Sequence, residues 1–256
     1  MNKLTSIFLL ILAVFVSCDT DNDDTISNAK MAFNFSHTWD GTPVTNSDFN
    51  DLKFTNANGE TLSIERLRYL ISDITFTSLN GETLKVNGYN LVDVTNNEDL
   101  TFEPITFIPA GTYTNVSFIF GFKNEDNIHN AYQDLNSISW SVPTMLGGGY
   151  HYMQLDGKFV NSSNTEQGYN FHAIRAVDNP GNRPTFPQNT FITVNLGSVN
   201  ISGNSTFNIE MNIAEWFKNP NRWDLNQLNQ GLMPNSMAQI MMFENGQNVF
   251  NLISIE

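Results

Sequence analysis

The sequence predicts an all-β fold, an antiparallel β-sandwich with a few short helical insertions. Apolar residues recur at every second position, turn signals break these runs at short intervals, and helical spacing is confined to three brief stretches. The chain has 256 residues, 20 phenylalanines and 40% apolar content, ample for one sizeable core. No α/β alternation, internal repeat or composition break divides it, so a single domain is expected from residue 29 to 256.

In chain order, residues 1–17 read as a secretory signal peptide, with Lys3 ahead of an apolar run from Ile7 to Val16 that is too short for a membrane span. The Phe-Val-Ser-Cys that ends it resembles a bacterial lipobox. Cys18, the chain's one cysteine, would then become the lipidated first residue of the mature protein. Residues 18–28 carry four aspartates before the first lysine and read as an acidic, solvated tether. These features place the chain in a bacterial cell envelope, as an outer membrane lipoprotein that meets the membrane only through its anchor. The acidic residues behind Cys18 also resemble a surface-export signal, so display at the cell surface is a further expectation.

The first strand puts Met31, Phe33, Phe35, His37 and Trp39 on one face and Ala32, Asn34, Ser36 and Thr38 on the other. The same alternation marks Val116, Phe118, Phe120 and Phe122, and again Phe207, Ile209, Met211 and Ile213. Further strands are expected at 65–77, 84–94, 149–160, 168–176 and 190–199, with turns at Asn58-Gly59, Asn80-Gly81, Pro109-Ala110-Gly111 and Asn179-Pro180-Gly181. Helical turns are expected at 130–137, 213–218 and 236–243. In the last of these Ser236 is the expected cap, and Met237, Ile240 and Met241 the expected apolar face.

A net charge of −14 argues against nucleic acid or an anionic membrane surface as partner and leaves small cations compatible. There is no phosphate-binding glycine loop, nucleophile elbow or paired-histidine zinc helix, and an enzyme is the least supported class. Gly147, Gly148 and Gly149 precede a strand where a phosphate cradle opens a helix; they read as a turn that lets the chain approach a neighbour closely. Arg66 and Arg68 alternate with apolar residues and are expected to pair with acidic neighbours across the sheet, Asp156 among them.

His129 lies in a polar loop. His37, His151 and His172 lie in strand-like segments, with His151 expected on the same face as Met153, Leu155 and Phe159. An inward histidine is first a hydrogen-bonded core residue, and methionine is first a core filler. The alternative is convergence on a metal. Imidazole with thioether sulfur suits copper, above all Cu(I), whereas structural zinc is disfavoured without thiolates.

Six segments, FNFSHTWDGTPV (33–44), TNANGETLSIERLRYLISDI (55–74), MLGGGYHYMQLDGKF (145–159), FHAIR (171–175), IAEWFKNP (213–220) and NGQNVFNL (245–252), together resemble the MbnP family of exported proteins linked to copper. The resemblance implies an all-β, non-enzymatic copper binder. In some members histidines hold the metal together with a tryptophan oxidised to kynurenine by a haem partner. Carried over by position, it points to His37, His151 and His172 as ligands; Met153, on the strand face of His151, is the expected thioether donor, and Trp39, two residues from His37 on the same strand face, is the candidate for the oxidised tryptophan. Tryptophans expected just before Gly149-Tyr150 are replaced here by Met145-Leu146-Gly147, the nearest being Trp140.

Two functions follow as expectations. One is a lipid-anchored envelope protein that binds copper through strand histidines for acquisition or buffering. The other is a metal-free β-sandwich module that binds a protein or glycan partner of a surface uptake system through Asn-rich loops.

Overall fold

A computed structural model describes residues 27–256. The expected signal peptide, Cys18 and nearly all of the tether lie outside the described residues. The principal strands are β1 (Met31–Trp39), β2 (Arg66–Ser78), β3 (Tyr89–Asp93), β4 (Gly111–Phe120), β5 (Met153–Val160), β6 (Glu166–Ala173), β7 (Ile192–Ile201), β8 (Ser205–Asn212) and β9 (Phe250–Ile255). One sheet runs β7-β4-β2-β5, with β6 added beside β5 and β3 pairing with β2; the other runs β9-β8-β1. All these pairings are antiparallel except β1 with β8. The fold is therefore all-β with short helical insertions.

Period-two alternation builds the core between the sheets. Phe33 stacks on Phe207 at 5.0 Å between ring centroids, Phe35 meets Phe118 edge-on at 6.0 Å, and Phe118 meets Phe250 at 5.3 Å. Such pairs add about 0.5–1.5 kcal/mol each beyond the apolar area they bury. In β2 the alternation is reset once. Asp73 adopts a left-handed conformation (φ 53°) and the pairing with β4 shifts between Ser72 and Thr75. This one-residue bulge lets Leu67, Tyr69 and Ile71 ahead of it, and Ile74 and Phe76 beyond it, all reach the same core. Lys85 at 2.6 Å and Lys123 at 2.7 Å hold the Asp73 carboxylate.

His37 continues the inner face of β1. Its Nε2 lies 3.0 Å from the Tyr69 hydroxyl, and the side chain is buried. Burial lowers its pKa to about 4.

Four elements differ from expectation. The strand expected at 84–94 is split by Gly88 (φ 99°) into Thr83–Lys85 and β3. The strand expected from residue 149 begins at Met153, because Gly147, Gly148 and Gly149 all adopt left-handed conformations, with φ of 95°, 69° and 77°. A side chain at Gly147 would meet the Phe186 ring at 2.5 Å, and one at Gly149 would meet Asn127 Oδ1 at 2.6 Å. These glycines form the expected close-approach turn.

Among the described residues the α-helices are α1 (Gln133–Ser137) and α2 (Ser236–Gly246). The cap of α2 is Asn235, whose side chain accepts from the Ala238 amide, not Ser236. Its buried face carries Ala238, Gln239, Met242 and Asn245, while Met237 is 66% exposed. That face is partly polar because it closes loops by hydrogen bonding. Gln239 accepts from the Ile174 amide and donates to the His172 carbonyl, and Asn245 donates to the carbonyls of Trp216 and Asn221. Finally, β9 completes the smaller sheet from a segment in which no strand was expected.

Two measurements check this packing. Gly157 in β5 lies under the Ser63 backbone, and a Cβ there would stand 2.1 Å from the Ser63 carbonyl oxygen. Gly157→Ala is expected to cost at least about 2 kcal/mol in urea unfolding, since backbone cannot yield as a side chain tip does. For His37, the unfolded chain binds a proton between about pH 6.5 and pH 4 that the folded chain refuses. Stability is therefore lost as pH falls through that window, by about 1.4 kcal/mol per unit where the difference is full. His37→Gln, which still offers Tyr69 a hydrogen bond, is expected to reduce the slope between neutral pH and about pH 5 by about half, since burial depresses His151 to about 4 as well. An unchanged slope would place the titration elsewhere.

Candidate metal centre

The chain enters β5 through the triple-glycine turn and then bends at Tyr152. The bend breaks the alternation that would have set His151 beside Met153. Met153 and Leu155 face the core between the sheets, fully buried. Gln154 and Asp156 face the other way, towards the outer side of the sheet. His172 of β6 is registered against Gln154 and shares that outer side. His151 joins it there, the two imidazole centroids 5.3 Å apart and nearly perpendicular at 83°.

Each ring is oriented by an acceptor. His151 Nδ1 lies 2.9 Å from the Trp140 carbonyl oxygen, which can only accept, so Nδ1 carries the proton and Nε2 keeps its lone pair. That Nε2 is shielded from solvent and has no hydrogen-bond partner among the described residues. His172 Nε2 lies 2.8 Å from Asp156 Oδ1. With an ionised carboxylate there, Nε2 carries a proton, so the lone pair a metal would use is the one at Nδ1. The two rings thus present opposite nitrogens, each set by a second group behind it, the arrangement usual for metal-bound imidazole.

Burial opposes ionisation of Asp156. The hydrogen bonds from His172, Asn170 and Arg66, with the charge on His172, outweigh it and hold the carboxyl at about 2. Arg66 pairs with Oδ2 while Asn170 Nδ2 donates to Oδ1 at 2.6 Å, as the alternation of Arg66 with apolar residues implied. His151 is pulled down to about 4, first by burial, against its hydrogen bond to Trp140 and with the positive charge of His172, Arg68 and Arg66 adding to the effect. It is neutral, and so competent to ligate, at any physiological pH.

Trp140 is fully buried, its ring 5.7 Å from that of His151. Leu70, Phe122, Leu135 and Tyr150 surround it, and the Arg68 guanidinium lies over it at 5.1 Å. Its Nε1 is buried without a hydrogen-bond partner among the described residues.

The remaining expected site residues lie elsewhere. His37, on β1 of the smaller sheet, and Met153, on β5 of the larger, both face the core between the sheets, and neither joins the histidine pair. Trp39 packs against Phe54 and Phe217 and donates its Nε1 to the Thr55 carbonyl, so its indole nitrogen is already used. The tryptophan beside the histidine pair is Trp140. Its signal in the sequence was its position as the nearest tryptophan before Gly149-Tyr150, and the bridge between Ser141 and Tyr150 then brings it alongside. Among the described residues no group of three or more His, Cys, Asp or Glu side chains gathers as a metal site. The donors present are two imidazoles.

Comparison with known proteins agrees with the outline. The solved structure of MbnP from Methylosinus trichosporium aligns with a TM-score of 0.54 at 12% identity, over 82% of this chain and 84% of that one. At that identity the likeness concerns the fold. No curated protein matches. The family model described as MbnP matches residues 28–239, well over half of the sequence, and the chain belongs to the MbnP family.

Proposed function

We propose that the protein binds copper as Cu(I) between His151 and His172, as a non-catalytic envelope protein for copper acquisition or buffering. The observation that carries this reading is the buried, unpartnered His151 Nε2 beside a second imidazole whose tautomer is set by Asp156. Two imidazoles without a thiolate suit Cu(I), which accepts few ligands, better than structural zinc, which takes four. The family's known link to copper supports the same choice. Trp140, whose ring is 5.7 Å from that of His151, replaces Trp39 in this reading as the candidate for the oxidation to kynurenine that the family resemblance implies, with a haem protein as partner. Cys18 is read as the lipid attachment point and the outer membrane as the location, with the domain outside the bilayer.

The separation of His37 from the other two histidines favours the metal-free module as the competing reading, so the test has to discriminate. In Cu(I) titration against a chromophoric chelator, His151→Ala and His172→Ala are each expected to weaken binding by more than about 100-fold, while His37→Ala leaves it unchanged. Asp156→Asn, which keeps the shape but loosens the hold on His172, is expected to cost about 10–100-fold. Wild-type binding no tighter than that of the His151→Ala, His172→Ala double variant would leave the metal-free module standing.

A further inference from the structure

A groove lies at the end of the sandwich opposite the histidine pair. It measures about 500 Å³ and is lined by Lys30, Met31, Glu103, Ile105, Phe107 and Asn204, among others. Its rim is a short loop between Pro104 and Pro109 that holds Ile105 90% exposed and Phe107 52% exposed. Each proline fixes one backbone angle at an end of the loop. Leu79, 73% exposed, tips the hairpin after Ser78, which pairs with Tyr113 at the same end of the sheet. Ile128, Ile138 and Met145 are exposed at the other end too, so exposure alone does not choose between the ends.

The path of the chain says what covers them. The segment entering the domain runs directly beside this loop. Ala110 donates to the Ser27 carbonyl at 2.7 Å, and Asn28 and Ala29 pair with Pro109 and Ile108. Lys30 then holds its amine 6.0 Å from the Phe107 ring centroid and its backbone amide 2.9 Å from Asn204 Oδ1. From Cys18 to Ser27 is nine residue steps, which reach at most about 30 Å even fully extended. A lipid on Cys18 therefore keeps this end, and not the opposite one, within reach of the bilayer.

We infer that this end of the sandwich rests on a phospholipid surface, with Ile105 and Phe107 entering the boundary between headgroups and acyl chains and Lys30 reaching the headgroups. The inference rests on the reading of Cys18 as the lipid attachment point. A small number of apolar side chains cannot hold a protein on a membrane alone, but beside a lipid anchor they set its orientation. The surface is a zwitterionic one, since the acidic tether and Glu103 repel anionic lipid. Ten residues of β2 separate Arg68 from Ser78, on the order of 30 Å of strand, so the histidine pair faces away from the bilayer.

The test uses the full mature lipoprotein reconstituted in phosphatidylethanolamine vesicles. A maleimide is first applied to the wild-type protein. Lipidated Cys18 has no free thiol, and uptake of the reagent would overturn the reading of Cys18 and the inference with it. Ile105→Cys and His129→Cys are then labelled separately with an environment-sensitive fluorophore, and vesicles with brominated acyl chains are compared with unbrominated ones. The expected result is a blue shift and loss of emission at position 105 with neither at position 129. Unquenched emission at 105, equal quenching at both positions, or a concentration-dependent dimer abolished by Phe107→Ser would each overturn the inference, the last by assigning the patch to a second copy of the chain.

Discussion

Asp156 is an ionised carboxylate on the outer side of a sheet whose inner side is apolar, with only 8% of the residue exposed. A charge in that position is tolerated only when donors surround it. Its donors come from the strands on either side: Arg66 from β2, and Asn170 and His172 from β6. The carboxylate therefore ties β2, β5 and β6 together across their outer faces. A slip of one residue in either pairing would send the partners to the inner side and leave the charge bare. The ion pair with Arg66 is half open to solvent and adds little energy by itself. Its effect lies in the register, and the register is what aims His172 towards His151.

His151 is positioned by different means. It stands outside β5, after three glycines whose left-handed conformations and tight neighbours admit no side chain. Its backbone amide and its ring both bond the carbonyl of Trp140. One half of the histidine pair is thus set by a sheet register and the other by a turn. They meet because β5 follows the turn directly, and the bend at Tyr152 reverses the side to which His151 points.

Much of the architecture was legible from alternation. Phe33, Phe35, Phe118, Phe207 and Ile209 sit where a period of two puts them, and the pairing of Arg66 with Asp156 was readable from the same rule. Alternation failed where the backbone leaves the strand conformation. His151 and Met153 are two residues apart and were read as one face, but a bend lies between them. Trp39 is two residues from His37 and stays on that strand, away from the histidine pair. Trp140 stands eleven positions from His151 and becomes its neighbour only through a bridge between loops, a contact without a local pattern. The apolar spacing in α2 pointed to Met237, whereas the side chains that decide its buried face are Gln239 and Asn245, which bond backbone groups from distant loops.

The parallel pairing of β1 with β8 has a consequence for how the chain reaches this structure. β1 is the first long strand and β8 is nearly the last; Met31 is registered against Ser205 and Thr38 against Asn212, while β9 completes the same sheet from the C-terminal end. The smaller sheet cannot close until almost the whole polypeptide is present, and contacts of such long sequence separation form slowly. Until then β1 has no partner beyond short neighbouring segments. A chain built this way keeps the apolar face of β1, with Phe33 and Phe35, without its final partner until synthesis is nearly complete.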